Sequence, residues 1–246
     1  MARVDPRLRE HRDVWDLKPG LRTVYAGYHR SILESLPDDG PILEIGGGSG
    51  NFLDIAPGTI SVDLAPSPWV HVCCDAHELP FADAAFAGIA MLDVLHHLAR
   101  PSTFFAEATR VLRPGGRLAM IEPGMTPLSR PFYTYLHHEP VDMSVDPLAD
   151  QPPDVATDPF KSNQGIPSLL FDRADHRKRF KQEFPDLRIV DFRKFSFLAY
   201  PLSGGFKRWS LLPGVIAPAM LRIDDLISPL LGPLFGFRIG VVLERA

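Results

Sequence analysis

Residues 43–52 read LEIGGGSGNF, and this segment constrains the chain more than any other. Ile42, Leu43 and Ile45 form an apolar run that empties into Gly46, Gly47 and Gly48, followed by Ser49, Gly50 and Asn51. This is a buried strand leading into a loop with almost no side chains. Glycine has no Cβ to hold a ligand off and adopts positive φ at little cost, so backbone N–H groups in such a loop can be approached closely. At the carboxyl end of a parallel strand, that loop is a ligand site.

Two spacings compete for the loop. The dinucleotide pattern G-x-G-x-x-G/A fails at its third position, which falls on Asn51 counted from Gly46 and on Leu53 counted from Gly48. The pattern acidic-x-G-x-G-x-G is met at every position by Glu44, Gly46, Gly48 and Gly50. It resembles the first motif of class I S-adenosylmethionine-dependent methyltransferases. The next apolar strand, Thr59 to Val62, ends at Asp63, where a carboxylate is placed to accept hydrogen bonds from both hydroxyls of a ribose. That geometry suits any adenosine ligand. A third strand, Val70 to Cys74, ends at Asp75-Ala76, where Asp75 is either an acceptor for an exocyclic adenine amine or a turn former.

The segments LPFADAAFAGIAMLDVLHHLARP (79–101) and FFAEATRVLRPGGRLAMIEP (104–123) read as strand, amphipathic helix, turn and strand, the alternation that βαβ units require. Their LPF, LHHL and RVLRPGG…EP pieces resemble the small-molecule branch of the same methyltransferases, and with the first motif the resemblance covers residues 40–123. It implies a doubly wound, mostly parallel seven-stranded α/β sheet, Rossmann-like, with an acceptor-binding insertion after strand 5. It also implies S-adenosylmethionine as cofactor and S-adenosylhomocysteine as product. By similarity, Glu44, Gly46, Gly47, Gly48 and Gly50 border the methionine moiety, and Asn51 and Phe52 begin the following helix. Asp63 holds the ribose and Leu64 lies against the adenine, with Asp75 and Ala76 at its edge. Met91, Leu92 and Asp93 line the channel near the methyl group. The implied activity is methyl transfer to a small-molecule or lipid-linked acceptor. O-methylation is favoured because histidines are available as bases; C-methylation and a catalytically silent cofactor-binding protein are the alternatives.

Asp93, His96 and His97 are spaced i, i+3 and i+4, so a helix would set them on one face. The candidate bases are His97, His137 and His138. The expected acceptor contacts are Tyr25 and Tyr28 on a helix starting near Leu21, Glu122 at its strand end, and Tyr133 and His138 beyond it. That helix is packed by Leu21, Val24, Ile32 and Leu33. No metal is expected, since Glu139 is the one further ligand near His137 and His138.

The chain reads as a single domain of 246 residues. Residues 1–39 form a helical cap, 40–123 the cofactor core, 124–186 a Pro-rich insertion, and 187–246 the C-terminal strands with an apolar segment. Nine of the 25 prolines fall in residues 123–167, which excludes long helices there. The final strands, Arg188 to Phe197 and Phe237 to Glu244, are expected to form an antiparallel hairpin. Between them residues 209–237 are very apolar, yet their charge-free runs fall short of the roughly 20 residues that span a bilayer. Core or dimer packing, a lipophilic acceptor pocket and peripheral membrane contact all remain open for this segment, so the chain is expected as monomer or homodimer. The net charge of −4 argues against nucleic-acid binding, and the basic run Arg173 to Lys181 reads as a solvated helix face. Cys73 and Cys74 point to opposite faces of a strand and do not pair. The charged N-terminus lacks an apolar signal core, and a cytoplasmic location is the expectation.

Overall fold

The computed structural model describes residues 4–149, 158 and 160–246; the rest of the Pro-rich insertion lies outside the described residues. Seven strands form one sheet: β1 (Ile42–Ile45), β2 (Ile60–Asp63), β3 (Val72–Cys73), β4 (Phe86–Leu92), β5 (Leu112–Pro123), β6 (Leu187–Phe195) and β7 (Arg238–Arg245). Their order is β3-β2-β1-β4-β5-β7-β6. The first five are parallel, and β7 runs antiparallel to both β5 and β6. Strand succession turns back between β1 and β4. The loops leaving the carboxyl ends of these two strands therefore diverge and open a crevice.

Helices cover both faces: α1 (Pro6–Leu17), α2 (Pro19–Ser35), α3 (Pro101–Val111), α4 (Ser129–Tyr135), α5 (Ile166–Asp172), α6 (Ala174–Glu183), α7 (Ala199–Ser203) and α8 (Ala217–Phe235). Successive strand residues point to opposite faces, so two cores form. Ile89, Met91, Leu118 and Met120 pack with Phe104, Phe105, Phe171 and Phe180 on one side. Ala90, Ala119 and Ile121 meet Leu21, Val24 and Ile32 of α2 on the other. With both faces covered, β4 and most of β5 are buried throughout, as parallel strands require.

Several expectations are corrected here. No helix follows the glycine loop. Residues 49–55 form successive turns, closed by bonds such as Gly50 N–H to the Gly47 carbonyl and Ile55 N–H to that of Phe52. Gly50 at positive φ and Pro57-Gly58 leave no room for regular turns of helix. Within the expected N-terminal cap, the helix read from near Leu21 is α2, which starts at Pro19, and a helix not read from the sequence precedes it: α1 starts at Pro6 behind Asp5, whose side chain caps the Arg7 N–H. Strand β3 shrinks to two residues at the sheet edge. Strand β5 starts at Leu112 and takes in the RPGG turn, with a register shift opposite Phe86 and Gly88.

The apolar segment is arranged inside out. Helix α8 buries Ala217, Asp224, Ser228 and Gly232, while Leu226 and Leu230 are each 80% exposed. Small residues on the inner face let α8 lie close on β6, and Asp224 accepts the N–H groups of Leu198 and Ala199. No helix among the described residues is long and apolar enough to cross a membrane.

The closest approach lies at Gly232, where an added Cβ would sit 2.0 Å from the Lys194 carbonyl oxygen, a backbone atom of β6. Gly232→Ala must push α8 off the sheet, and the expected cost is about 1–3 kcal/mol, the range for overpacking a tight contact. Urea unfolding monitored by circular dichroism checks it; an unchanged midpoint would remove α8 from the cooperative core.

Candidate functional site

A cavity of about 1050 Å³ opens at the carboxyl ends of β1 and β4. Small-ligand sites run to about 300–1000 Å³, so this one has room for a nucleoside-sized ligand together with a small second molecule. One end is built by the loops after β1, β2 and β3. Gly46 and Gly48 hold φ of 78° and 44°, which bends the chain back over the strand ends. A Cβ on Gly47 would lie 1.9 Å from Ser61 Oγ, so glycine is required there for close approach. The loop is pinned by Asp63, whose Oδ2 accepts the Gly48 N–H at 2.8 Å and whose Oδ1 accepts the Ala65 N–H at 2.7 Å.

Glu44, Gly46, Gly47, Gly48, Asn51, Phe52, Asp63, Leu64, Asp75, Ala76, Met91, Leu92 and Asp93 all line this cavity. Gly50 does not: it turns the loop beneath Trp69, whose Cβ is 2.6 Å from where a Gly50 Cβ would be. Two buried atoms of the cradle, Glu44 Oε2 and Asn51 Oδ1, have no hydrogen-bond partner among the described residues. Burial pushes the Glu44 carboxyl up to about 7, and burial likewise raises Asp63, against the pull of its backbone N–H partners. Asp75 is fixed by His77, through the backbone N–H at 2.9 Å and the ring Nδ1 at 2.6 Å.

The other end is organised by charged groups. Asp93 follows β4 with φ of 59° and lies outside any helix, so the shared helical face with His96 and His97 is not formed. The cause is Glu122, fully buried at the tip of β5. Its Oε1 accepts the Val94 and Leu95 N–H groups at 2.8 and 2.7 Å, and its Oε2 takes the Nδ1–H of His96 at 2.7 Å. These bonds wrap the chain around the carboxylate and leave only a 3-10 turn, Leu95–His97. Asp93 turns instead to Arg238, a 1% exposed guanidinium that grips both carboxylate oxygens, one at 2.9 Å. Tyr25 donates to Asp93 at 3.2 Å, and Arg238 stacks 4.0 Å above the Tyr200 ring.

His96 also reaches Glu139 of the insertion, Nε2 to Oε2 at 3.3 Å. Burial works against the charged imidazole, but Glu122 and Glu139 outweigh it and lift His96 to about 10. Burial, reinforced by His96, drives His97 down to about 4, and burial does the same to His137. His97, His137 and His138 line the cavity.

Three expected acceptor contacts are corrected. Tyr28 is core, its hydroxyl 2.5 Å from Ser196 Oγ. Tyr133 is fully buried and donates to the Phe237 carbonyl. Glu122 spends its oxygens on the loop after β4. Tyr25 and His138 do reach the cavity. Sequence reasoning missed Arg238, Tyr200 and His29, which also line it. Arg238 had a signal, a cation opening the apolar strand RIGVVL. The other two had signals as well: His29 shares a face of α2 with Tyr25 at i+4, and Tyr200 lies in the distinctive segment AYPLSGGF (199–206).

The sheet order and the glycine cradle at its switch point define a class I methyltransferase fold. Residues 43–120 match the family model described as a methyltransferase domain. The chain is 36% identical over 115 residues to a ubiquinone/menaquinone biosynthesis C-methyltransferase of Paracoccus denitrificans, covering 37% of this chain and 46% of that one. It is 50% identical over 46 residues to the 27-O-demethylrifamycin SV methyltransferase of Amycolatopsis mediterranei, covering 19% and 17%. These matches span less than half of either relative's length. Among solved structures, a SAM-dependent methyltransferase from Thermotoga maritima superposes with a TM-score of 0.57 at 17% identity, over 98% of this chain and 97% of that one. Geranyl diphosphate C-methyltransferase from Streptomyces coelicolor gives 0.53 at 14% identity, over 89% and 76%. Residues 43–120 thus match a methyltransferase domain, and the sheet around them has the fold of solved class I, SAM-dependent methyltransferases.

Removing one partner of a buried ion pair leaves the other uncompensated, at about 3–5 kcal/mol. Asp93→Asn is therefore expected to destabilise the fold by that order, whereas Asp93→Asn combined with Arg238→Met recovers part of the loss. Denaturant unfolding of both variants measures the difference; equal losses would mean that the pair is not coupled.

Proposed function

We propose that the chain transfers a methyl group from S-adenosylmethionine to an oxygen atom of a small-molecule acceptor. The observation that carries this reading is the cradle itself: positive-φ glycines, an Asp63 carboxylate at the tip of β2, and two unpartnered buried oxygens facing one cavity. The streptomycete neighbour was crystallised with S-adenosyl-L-homocysteine, which supports the same assignment. Glu44 and Gly46 to Gly48 would hold the methionine end, with Asn51 and Phe52 beside them. Asp63 would hold the ribose hydroxyls, and Leu64, Asp75 and Ala76 the adenine. Bound there, S-adenosylmethionine supplies a methyl group already activated on sulfur.

What remains for the chain is alignment, which can carry much of a barrier reduction. Met91, Leu92 and Asp93 wall the channel, and the Arg238 pair fixes Asp93 and Tyr25 so that neither reorganises when an acceptor enters. A hydroxyl acceptor needs its proton removed. His97 gives its Nδ1–H to the Lys161 carbonyl at 3.2 Å, which leaves the Nε2 lone pair to take that proton. His137 is less suited, because its Nδ1 accepts the Glu139 N–H at 3.3 Å and its Nε2 then carries the hydrogen.

Calorimetric titration tests the cofactor assignment. Micromolar binding of S-adenosylmethionine and S-adenosylhomocysteine is expected, with none for NAD. Asp63→Ala should weaken it by about 1–3 kcal/mol through lost charge-assisted hydrogen bonds. Unaltered affinity in a folded Asp63→Ala protein would remove the ribose role, and binding of NAD alone would overturn the reading.

A pH dependence follows from Glu44. Its folded pKa near 7 keeps it largely protonated below neutrality. A cationic ligand beside it favours the carboxylate, so binding expels a proton and affinity should rise with pH from about 5.5 to 8. Titration in two buffers of different ionisation enthalpy reads the proton released. A Glu44→Gln protein that keeps the full pH dependence would place its origin elsewhere.

A further inference from the structure

Side chains from two segments distant in sequence meet at the far end of the cavity: the adjacent His96 and His97 after β4, and Glu139 from the insertion. One ligand atom from each lies within 4.8 Å of the others, and all three line the cavity. On both rings Nδ1 is already committed, which leaves Nε2 as the ligand atom. His96 Nδ1–H goes to Glu122 Oε2 at 2.7 Å and His97 Nδ1–H to the Lys161 carbonyl at 3.2 Å. A histidine that binds a metal through one nitrogen characteristically donates the other N–H to a carboxylate or a backbone carbonyl, which fixes its tautomer and ring plane. Here one histidine has each kind of partner. Glu139 is oriented in turn by Ser162 Oγ at 3.0 Å and by the Gln164 side-chain amide.

We propose that His96, His97 and Glu139 form a divalent-cation site of the two-histidine, one-carboxylate type, suited to zinc, with its fourth position open to the cavity. Nitrogen and oxygen ligands of tetrahedral zinc sit about 2.0–2.2 Å from the ion, which puts neighbouring ligand atoms roughly 3.4 Å apart. His96 Nε2 and Glu139 Oε2 are already 3.3 Å apart, with a proton where the ion would stand. His97 completes the set by a turn of its ring, from the 4.8 Å within which the three ligand atoms already lie.

The site deepens the methyl-transfer reading, on which it rests for its use but not for metal binding itself. An ion held there would lower the pKa of an acceptor hydroxyl so that its proton leaves to solvent near neutral pH; the electron pair of the broken O–H bond would then form the bond to the methyl carbon while the carbon–sulfur pair returns to sulfur. In that arrangement His97 is a ligand and the ion replaces it as the activator of the acceptor.

The test is metal content. Protein stripped with a chelator is dialysed against micromolar zinc, or against magnesium, and analysed by atomic emission. One zinc per chain and no retained magnesium are expected. His97→Ala and Glu139→Gln should each lower zinc affinity by at least about tenfold, while Cys73→Ser, which removes an exposed thiol, should bind as the unaltered chain does. Should His97→Ala fail to fold, Glu139→Gln, which keeps the size of the side chain, carries the comparison. No zinc at micromolar concentration, or equal affinity in Glu139→Gln, overturns the site. Titrating the stripped protein with S-adenosylmethionine reports separately on the cofactor assignment.

Discussion

The site depends on the Glu122 carboxylate more than on any other single group. It sits without solvent contact at the end of β5 and takes three donors from the chain that follows β4. A buried carboxylate needs such donors, and the loop after β4 has backbone N–H groups without secondary-structure partners. Each solves the other's problem. The outcome is geometric: the chain cannot run on as a helix from Asp93. Asp93 is thrown into a left-handed conformation toward Arg238, while His96 is turned toward the insertion. Two residues three apart in sequence therefore serve different parts of the cavity.

This explains how far the sequence could be read. The strands, their mostly parallel order and the final hairpin were legible because apolar runs and turn residues are local signals. The gathering of Glu44, Asp63 and Asp75 on one cavity was legible for a related reason: these residues stand at or just past strand ends, so their positions follow from the strands. The acceptor end was not. Tyr28 and Tyr133 were chosen as polar aromatics near the site, but their hydroxyls are satisfied inside the core by Ser196 and the Phe237 carbonyl. Local spacing cannot say which side of a helix faces a cavity and which faces a core, since both sides accept a tyrosine. Arg238 enters from a strand 145 residues after its partner Asp93, a pairing that only the completed sheet creates.

Helix α8 teaches a related lesson about apolar content. Hydrophobic segments ordinarily bury their large side chains, and for residues 209–237 the sequence left core or dimer packing, an acceptor pocket and peripheral membrane contact open. Helix α8 lies directly on β6, with backbone meeting backbone at Gly232, and the face it turns inward buries only Gly232, Ser228, Asp224 and Ala217. The leucines are left on the outer face. Close packing of small residues thus decides the orientation against the bulk hydrophobic preference.

The two ends of the cavity also differ in what holds them. The cradle is tied by short bonds from Asp63 to backbone N–H groups and rests on the strand ends. The other end draws on residues 137–140, 160–162 and 164 and on the 200–209 turn, while α1 lies over both ends, with Leu8 at Gly48 of the cradle. Its outer ties include the Arg7–Asp158 pair, whose side chains are 45% and 54% exposed. Exposed pairs of this kind contribute about 0–1 kcal/mol. His11 stacked on Phe206 adds apolar contact, and Lys18, its pKa lowered by burial to about 8, anchors the turn through the Gly205 and Lys207 carbonyls. Regions held by few buried contacts open at low free energy. The fold therefore places its firm geometry where an invariant cofactor would be gripped and its adaptable geometry where acceptors of different shape would be admitted. One sheet with divergent loops can serve many acceptors on that basis.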